Sequence, residues 1–266
     1  MKNSHLRVIF LGTNGWYDTD TGNTICTLIR AKDYEIILDA GNGLYKVSRY
    51  VPLADQKPVY LFLSHFHLDH IAGLHVLNKF EFPQGITICG PEGTRKILGM
   101  IINHPFTAPL SQLPFPVRIC ELPEEHRDLP FTVIAKPLLH ASFTLGYRIE
   151  IEGKVISYCP DTGYCENAVE LSESADLLIA ECAYKSGQSC ESWPHLNPET
   201  AARIAREAGA RQLALTHFDA EIYQTIEDRE KAQEIAEKIF HNTIATIDGM
   251  EIKIKDRPLI SPLNPA

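Results

Sequence analysis

The stretch "SHFHLDHIAGL", residues 64–74, follows directly on the apolar run "PVYLFL" at 58–63. The β-branched and aromatic residues of the run read as a buried strand. The spacing of Ile71, Leu74 and Leu77 predicts a helix over Asp69–Asn78. Three histidines and an aspartate therefore sit where a strand stops and a helix starts. His65 and His67, two apart in an extended segment, share one side, while Asp69 and His70 turn the other way as the helix begins. Imidazole and carboxylate at this density form a pattern suited to holding metal.

The surrounding chain is long enough to support such a site. Its 266 residues are 44% hydrophobic and 22% charged, which allows one sizeable core and predicts a single domain over 1–266. The net charge of −9 argues against a surface built mainly for nucleic acid, which needs an excess of Lys and Arg. No apolar run reaches the ~18 residues of a membrane span, and the N-terminus lacks the pattern of a signal peptide. A cytoplasmic location without a membrane partner is the expectation. Seven scattered cysteines, with no C-x-x-C pair, read mostly as small buried hydrophobes in a reducing compartment.

Along the chain, "RVIFLG", "TICTLIRA", "YEIILDAG" and "VYLFLS" predict an opening sheet. After the histidine cluster, "GPEGTRKILGMI" predicts a helix. Four prolines within residues 104–117 require a surface loop. Strands resume with "FTVIAKPLL", "TLGYRIEI" and "KVISYCP", the last two joined at Glu152-Gly153 as a hairpin. "ADLLIAEC" follows as a buried strand. A helix from Pro198 to Ala208 is capped by Asn197 and stopped by Gly209. "QLALTHF" is the next strand, "TIEDREKAQEIAEKIF" a last helix and "MEIKIK" a closing strand. This order suits two sheets sandwiched between helices.

Four strand ends carry metal-ligating residues: His65, His67, Asp69 and His70 after "VYLFL", His140 after "FTVIAKPLL", Asp161 after "KVISYCP" and His217 after "QLALT". Seven nitrogen and oxygen donors exceed what one tetrahedral ion uses, so two divalent ions are implied. Zn²⁺ is the first expectation, with Mn²⁺ or Fe²⁺ as alternatives. If Asp161 bridges, each ion takes two or three histidines and a carboxylate, leaving a position for water. Two such cations make that water acidic, which is hydrolytic chemistry on a phosphoryl or acyl centre.

"SHFHLDHIAGL" resembles the signature of the metallo-β-lactamase superfamily, which implies an α/β fold, a four-layer αββα sandwich. "FLGTNG", "HASFTLGYRI" at 140–149, "PDTGY" at 160–164 and "LTHF" at 215–218 are similar to segments of its ribonuclease Z-like branch. The resemblance spans residues 8–218. It assigns His65, His67 and His140 to one ion, Asp69, His70 and His217 to the other, and Asp161 to both. It also gives Asp69 the task of orienting or deprotonating the attacking water. Glu181 and His195 match a pair that helps protonate the leaving oxygen, with His195 as general acid. Homodimers are common in the branch, so a homodimer is the oligomeric expectation.

Ribonuclease Z of that branch grips transfer RNA with an arm inserted between the third-strand histidine and the bridging aspartate. Here Asp161 follows His140 by only 21 positions, filled by one hairpin. The expected activity is therefore a dinuclear metal-dependent phosphodiesterase acting on a small phosphodiester or nucleotide, not on folded transfer RNA. The alternatives are a ribonuclease Z-like endonuclease and a lactone or thioester hydrolase. Arg148 is a candidate partner for a phosphate oxygen. The loop at 104–117 is expected to wall the substrate cleft, with Phe106 and Phe115 as apolar contacts.

Overall fold

A period of two in the strands divides their side chains between different cores. In β1 (Arg7–Gly12), Val8 and Phe10 join one apolar cluster while Ile9 and Leu11 join another. The structure is a computed structural model that describes residues 6–52, 57–124 and 129–255. The first half continues with β2 (Asn14–Gly15), β3 (Cys26–Arg30), β4 (Glu35–Leu38), α1 (Val47–Tyr50), β5 (Val59–Phe62), α2 (Leu68–Ile71), β6 (Ile86–Pro91), α3 (Thr94–Ile101) and β7 (Val117–Leu122). The second half comprises β8 (Thr132–Pro137), β9 (Leu145–Ile151), β10 (Lys154–Cys159), α4 (Glu166–Leu171), β11 (Leu177–Glu181), α5 (Pro198–Glu207), β12 (Leu213–Thr216), β13 (Phe218–Asp219), α6 (Ile226–Glu237), β14 (Thr243–Ala245) and β15 (Glu251–Lys253).

A seven-stranded sheet runs β15-β1-β3-β4-β5-β6-β7, and a six-stranded sheet runs β14-β12-β11-β10-β9-β8. One cluster lies between the sheets, with Phe10, Phe62, Tyr147 and Ile179. A second packs the first sheet against α1, the 72–79 helical turns and α3. A third packs the other sheet against α4, α5 and α6. Three cores between four layers make the αββα sandwich.

Strands β4, β5 and β6 are mutually parallel, as are β10, β11 and β12. Their carboxyl ends collect at one edge, where ligands of α/β sheets characteristically bind. The β9–β10 hairpin turns at Glu152 and Gly153, both with positive φ, as its two-residue loop requires. It occupies the chain between His140 and Asp161, with no further element inserted. Asn197 and Thr200 form a capping box at α5, and Gly209 ends it with φ +61°.

The helix predicted over Asp69–Asn78 is corrected in part: α2 is a single turn and residues 72–79 are 3₁₀. A Cβ on Gly73 would lie 2.1 Å from the Gly41 carbonyl, and the Gly73 amide donates to Ala40 O. Backbone crossing at this closeness clamps the helix start to the end of β4. Five of the cysteines are buried, but Cys190 is exposed, and no helix among the described residues is long and apolar enough to cross a membrane.

Candidate metal centre

All seven side chains singled out by strand-end position come together at this edge. Ligand-capable atoms of His65, His67, His140 and Asp161 form one group, and those of Asp69, His70 and His217 another, each within 4.8 Å. Asp161 lies between them. Its Oδ1 is 3.0 Å from His70 Nε2 and 3.1 Å from His217 Nε2, while Oδ2 is 3.7 Å from His140 Nε2 and 4.0 Å from His65 Nε2. Asp69 Oδ2 lies 3.3 Å from His217 Nε2 and 3.6 Å from His70 Nε2.

Outer hydrogen bonds decide which nitrogen faces inward in four of the five rings, whereas His217 Nδ1 is buried without one. His65 Nδ1 donates to Ser64 Oγ at 2.9 Å, and Ser64 Oγ donates to Asp39 Oδ2 at 2.8 Å. His67 is turned the other way, with Nε2 on Ser142 Oγ at 2.8 Å and Nδ1 inward. His140 Nδ1 donates to Pro194 O, and His70 Nδ1 to Asp39 Oδ2. Asp39 is fully buried and also accepts from Tyr158 at 2.6 Å. Asp39, Ser64 and Ser142 were missed by sequence reasoning. Asp39 carried a usable signal, since it ends an apolar strand just as the ligands do.

Electrostatics divide the two groups. Burial, then His70, pushes His65 down to about 2, and burial lowers His67 and His140, so this set offers neutral rings. Burial opposes charge on His70 and His217 too, but Asp161 and Asp69 outweigh it and raise both. Asp69 and Asp161 are held well below the usual carboxylate range against their burial, by His70 and His217. His65 Nε2 is buried without a protein hydrogen bond, and Asp161 Oδ1 has only the close approaches of His70 and His217 Nε2, neither aligned as a full hydrogen bond. Uncompensated inward lone pairs beside two ionised carboxylates fit divalent cations and poorly fit a structural polar core.

Glu181 and His195 stand beside this centre. Glu181 is fully buried; Oε1 accepts from Thr162 N–H at 2.7 Å and His195 Nδ1 at 2.6 Å, and Oε2 from Ala183 N–H at 3.0 Å. Burial opposes charge on His195, yet Glu181 raises it to about 9. Its ring is stacked 6.1 Å from that of His217 and lines the cleft. The cleft has a volume of about 600 Å³, and its wall includes Trp16, Leu68, Trp193 and Asp219.

Backbone strain gathers here. Asp39 (φ 55°), His217 (φ 52°) and Trp16 (φ 71°) are three of the five non-glycine residues with positive φ among those described. β13 pairs with β2, setting His217 and Asp219 beside Gly15 and Trp16. Only a glycine fits at position 15, because a Cβ there would lie 2.5 Å from the His217 ring.

Two expected substrate contacts are not brought to the cleft. Arg148 alternates with inward-facing Tyr147, so it points outward. There its guanidinium bonds Glu150 and the carbonyls of Leu171 and Glu173 behind α4, the partners a helix C-terminus offers. Phe106 is 76% exposed and outside the cleft wall. The 104–117 loop spends its apolar side chains elsewhere: Leu110, Leu113 and Phe115 cover the helix-side core, with Phe115 against Phe82.

Residues 34–218 match the family described as "Beta-lactamase superfamily domain". "Probable metallo-hydrolase YhfI" of Bacillus subtilis is 31% identical over 80% of this chain and 87% of its own length. Its crystal structure superposes with a TM-score of 0.76 over 93% of this chain and 98% of that one. Ribonuclease Z of Methanosarcina mazei is 26% identical, covering 95% of this chain and 99% of the relative. The short form of human tRNase Z gives a TM-score of 0.71 at 25% identity over 94% and 100% of the two chains. The alignment with the Methanosarcina enzyme runs over 306 positions against a chain of 266, so that enzyme carries at least 40 residues without a counterpart here.

Proposed function

Given that the chain belongs to the beta-lactamase superfamily, with relatives in the short ribonuclease Z-like branch, we propose that it is a metal-dependent phosphodiesterase acting on a small phosphodiester or nucleotide. The observation that carries this is the paired set of inward donors sharing Asp161, with the His195–Glu181 couple opening into the same cleft. His65, His67, His140 and Asp161 would hold one divalent ion, and Asp69, His70, His217 and Asp161 the other, zinc first among the candidates. Such ions polarise a phosphoryl oxygen and acidify water.

The protein's own groups divide the remaining work. Asp69 is anchored through Oδ2 by the Trp16 amide at 2.8 Å, and its depressed pKa makes it a fixed acceptor that orients the attacking water. As a weak base it directs the water's lone pair more than it stores the proton. His195 carries a proton at neutral pH and donates it to the departing oxygen, while Glu181 holds the ring in the donating tautomer. Glu181 in turn is fixed by two backbone amides, so the couple needs no rearrangement during the reaction.

The chain should hydrolyse bis(p-nitrophenyl) phosphate with Zn²⁺ or Mn²⁺, lose that activity to a chelator and regain it on metal return. A metal-loaded protein that opens lactones or thioesters but no phosphodiester would replace this reading with the acyl one. Processing of transfer RNA is the second reading, favoured by the near full-length match to ribonuclease Z. Against it stand the plain hairpin between His140 and Asp161 and the net charge of −9.

A further inference from the structure

Trp16 and Trp193 are the only tryptophans of the chain, and both stand in the wall of the metal cleft. They are 62% and 48% exposed, and Leu68 beside them is 74% exposed. Trp193 lies parallel to the His67 ring, 5.6 Å away with planes 11° apart. The Trp16 amide donates to Asp69 Oδ2. The Trp193 indole therefore adjoins one donor set, and the backbone that carries Trp16 adjoins the other, with both side chains in the wall of one cleft.

Trp16 is held in place at a cost. A bulky residue at φ 71° is strained. Its loop is fixed by Asn14 Nδ2, which donates to Tyr17 O, Thr19 Oγ1 and Gly22 O, and by the buried guanidinium of Arg229, which bonds Asn14, Thr13 and Thr21. An indole kept in solvent on a strained but locked backbone points to a ligand that covers it.

The charge of the cleft restricts what that ligand is. Among the described residues that line it there is no Lys or Arg. Asp69 and Asp161 would be taken up by the two ions, and Asp219 leaves a further carboxylate that would repel a second phosphate. Beyond the scissile phosphate, recognition falls to Trp16, Leu68 and Trp193. That suits a flat, uncharged group, and about 600 Å³ accommodates something of nucleotide size.

We propose that Trp16 and Trp193 form an aromatic clamp for the base of a nucleotide phosphodiester, setting specificity for a nucleobase over a simple alkyl ester. The proposal rests on the phosphodiesterase reading and deepens it. Stacking of one base is worth about tenfold or more in affinity.

The test compares three esters with one leaving group on the zinc-loaded protein: thymidine 5′-(p-nitrophenyl phosphate), cyclohexylmethyl p-nitrophenyl phosphate and methyl p-nitrophenyl phosphate. The thymidine ester should exceed the methyl ester in kcat/KM by about tenfold or more, and the cyclohexylmethyl ester should gain far less. Trp16→Ala and Trp193→Ala should each collapse that ratio, while Trp→Phe at either position retains most of it. A wild-type ratio near one, an equal gain for the cyclohexylmethyl ester, or a ratio unmoved in both alanine variants overturns the clamp. If no ester is hydrolysed, the phosphodiesterase reading fails separately. The clamp is then read from fluorescence, since every indole of the chain lines the cleft. Thymidine 5′-monophosphate should quench saturably where ribose 5-phosphate does not. Equal quenching by both, no quenching, or a change on protein dilution alone, which would mark a second copy as the occupant, overturns it.

Discussion

His195 is protonated at neutral pH because the fully buried Glu181 sits 2.6 Å from its Nδ1 and raises it to about 9 against the effect of burial. A general acid matters most when the leaving oxygen is basic. A nucleoside alkoxide needs the proton, whereas p-nitrophenolate is stable without one. His195→Ala should therefore lower kcat by about 10²–10³-fold for a nucleoside leaving group and less than about tenfold for p-nitrophenyl. Equal losses on both would make His195 a structural residue. As the proposed general acid His195 works in its protonated form, so activity should be present below the pKa and lost as pH rises through it, with the alkaline limb no higher than about 9. Glu181→Gln removes the group that raises His195 and should move that limb to lower pH. At this scale the sequence was legible where a residue type has few other uses: three histidines and an aspartate in six positions leave little but metal. Asp39, Ser64 and Ser142 were not legible, because a carboxylate or hydroxyl at a strand end is common and only the fold brings it to an imidazole. Arg148 misled for the converse reason, since its neighbours in sequence are near the site while strand alternation turns it away.

Among the elements, α5 and α6 contrast in how much their residues disclose. Asn197 and Pro198 announce the start of α5, and the capping box is found there. Helix α6 also begins at a capping box, from Thr225 to Asp228, but its inward stripe is Arg229, Ala232 and Ala236, and an arginine in a charged helix reads as solvent-facing. Arg229 is fully buried instead. Its Nη1 donates to Thr13 Oγ1 and Thr246 O, its Nη2 to Asn14 and Thr21, and burial lowers it to about 10. Thr13 Oγ1 passes the network to Asp248, which also receives Lys46 Nζ at 2.6 Å. Helix α6 thus anchors the loop that carries Gly15 and Trp16, some 215 positions away in sequence. Arg229→Met should reduce unfolding free energy by about 2–4 kcal/mol, because it strands the loop's polar groups in a closed interior. Denaturant titration with an unchanged m-value measures this. A loss below about 0.5 kcal/mol would mean that the loop holds itself.

Over the whole molecule, charge and shape bear on how large the substrate is. The resemblance in sequence extended to nearly all of the fold, because strand-end ligands and period-two strands are local signals. What covers the cleft was not legible, since it depends on where loops fold back. The 104–117 loop went to the helix-side core, and Trp16 and Trp193, distant in sequence, took the cleft. A folded RNA is gripped through its phosphates, and affinity from that source requires clustered Lys and Arg. The net charge here is −9, the cleft wall contains neither residue among those described, and the hairpin β9–β10 fills the interval between His140 and Asp161. At physiological salt the protein should bind precursor transfer RNA no tighter than the roughly 10⁻⁴–10⁻⁶ M of sequence-independent phosphate contact. Its kcat/KM for that RNA should fall at least about a hundredfold below that for the thymidine ester, because each lost phosphate contact lowers affinity with no compensating base readout. Filter retention and single-turnover cleavage measure the two quantities. A nanomolar complex would sink the small-substrate reading, and its salt dependence would count the phosphates held, directing the search to a basic surface outside the cleft.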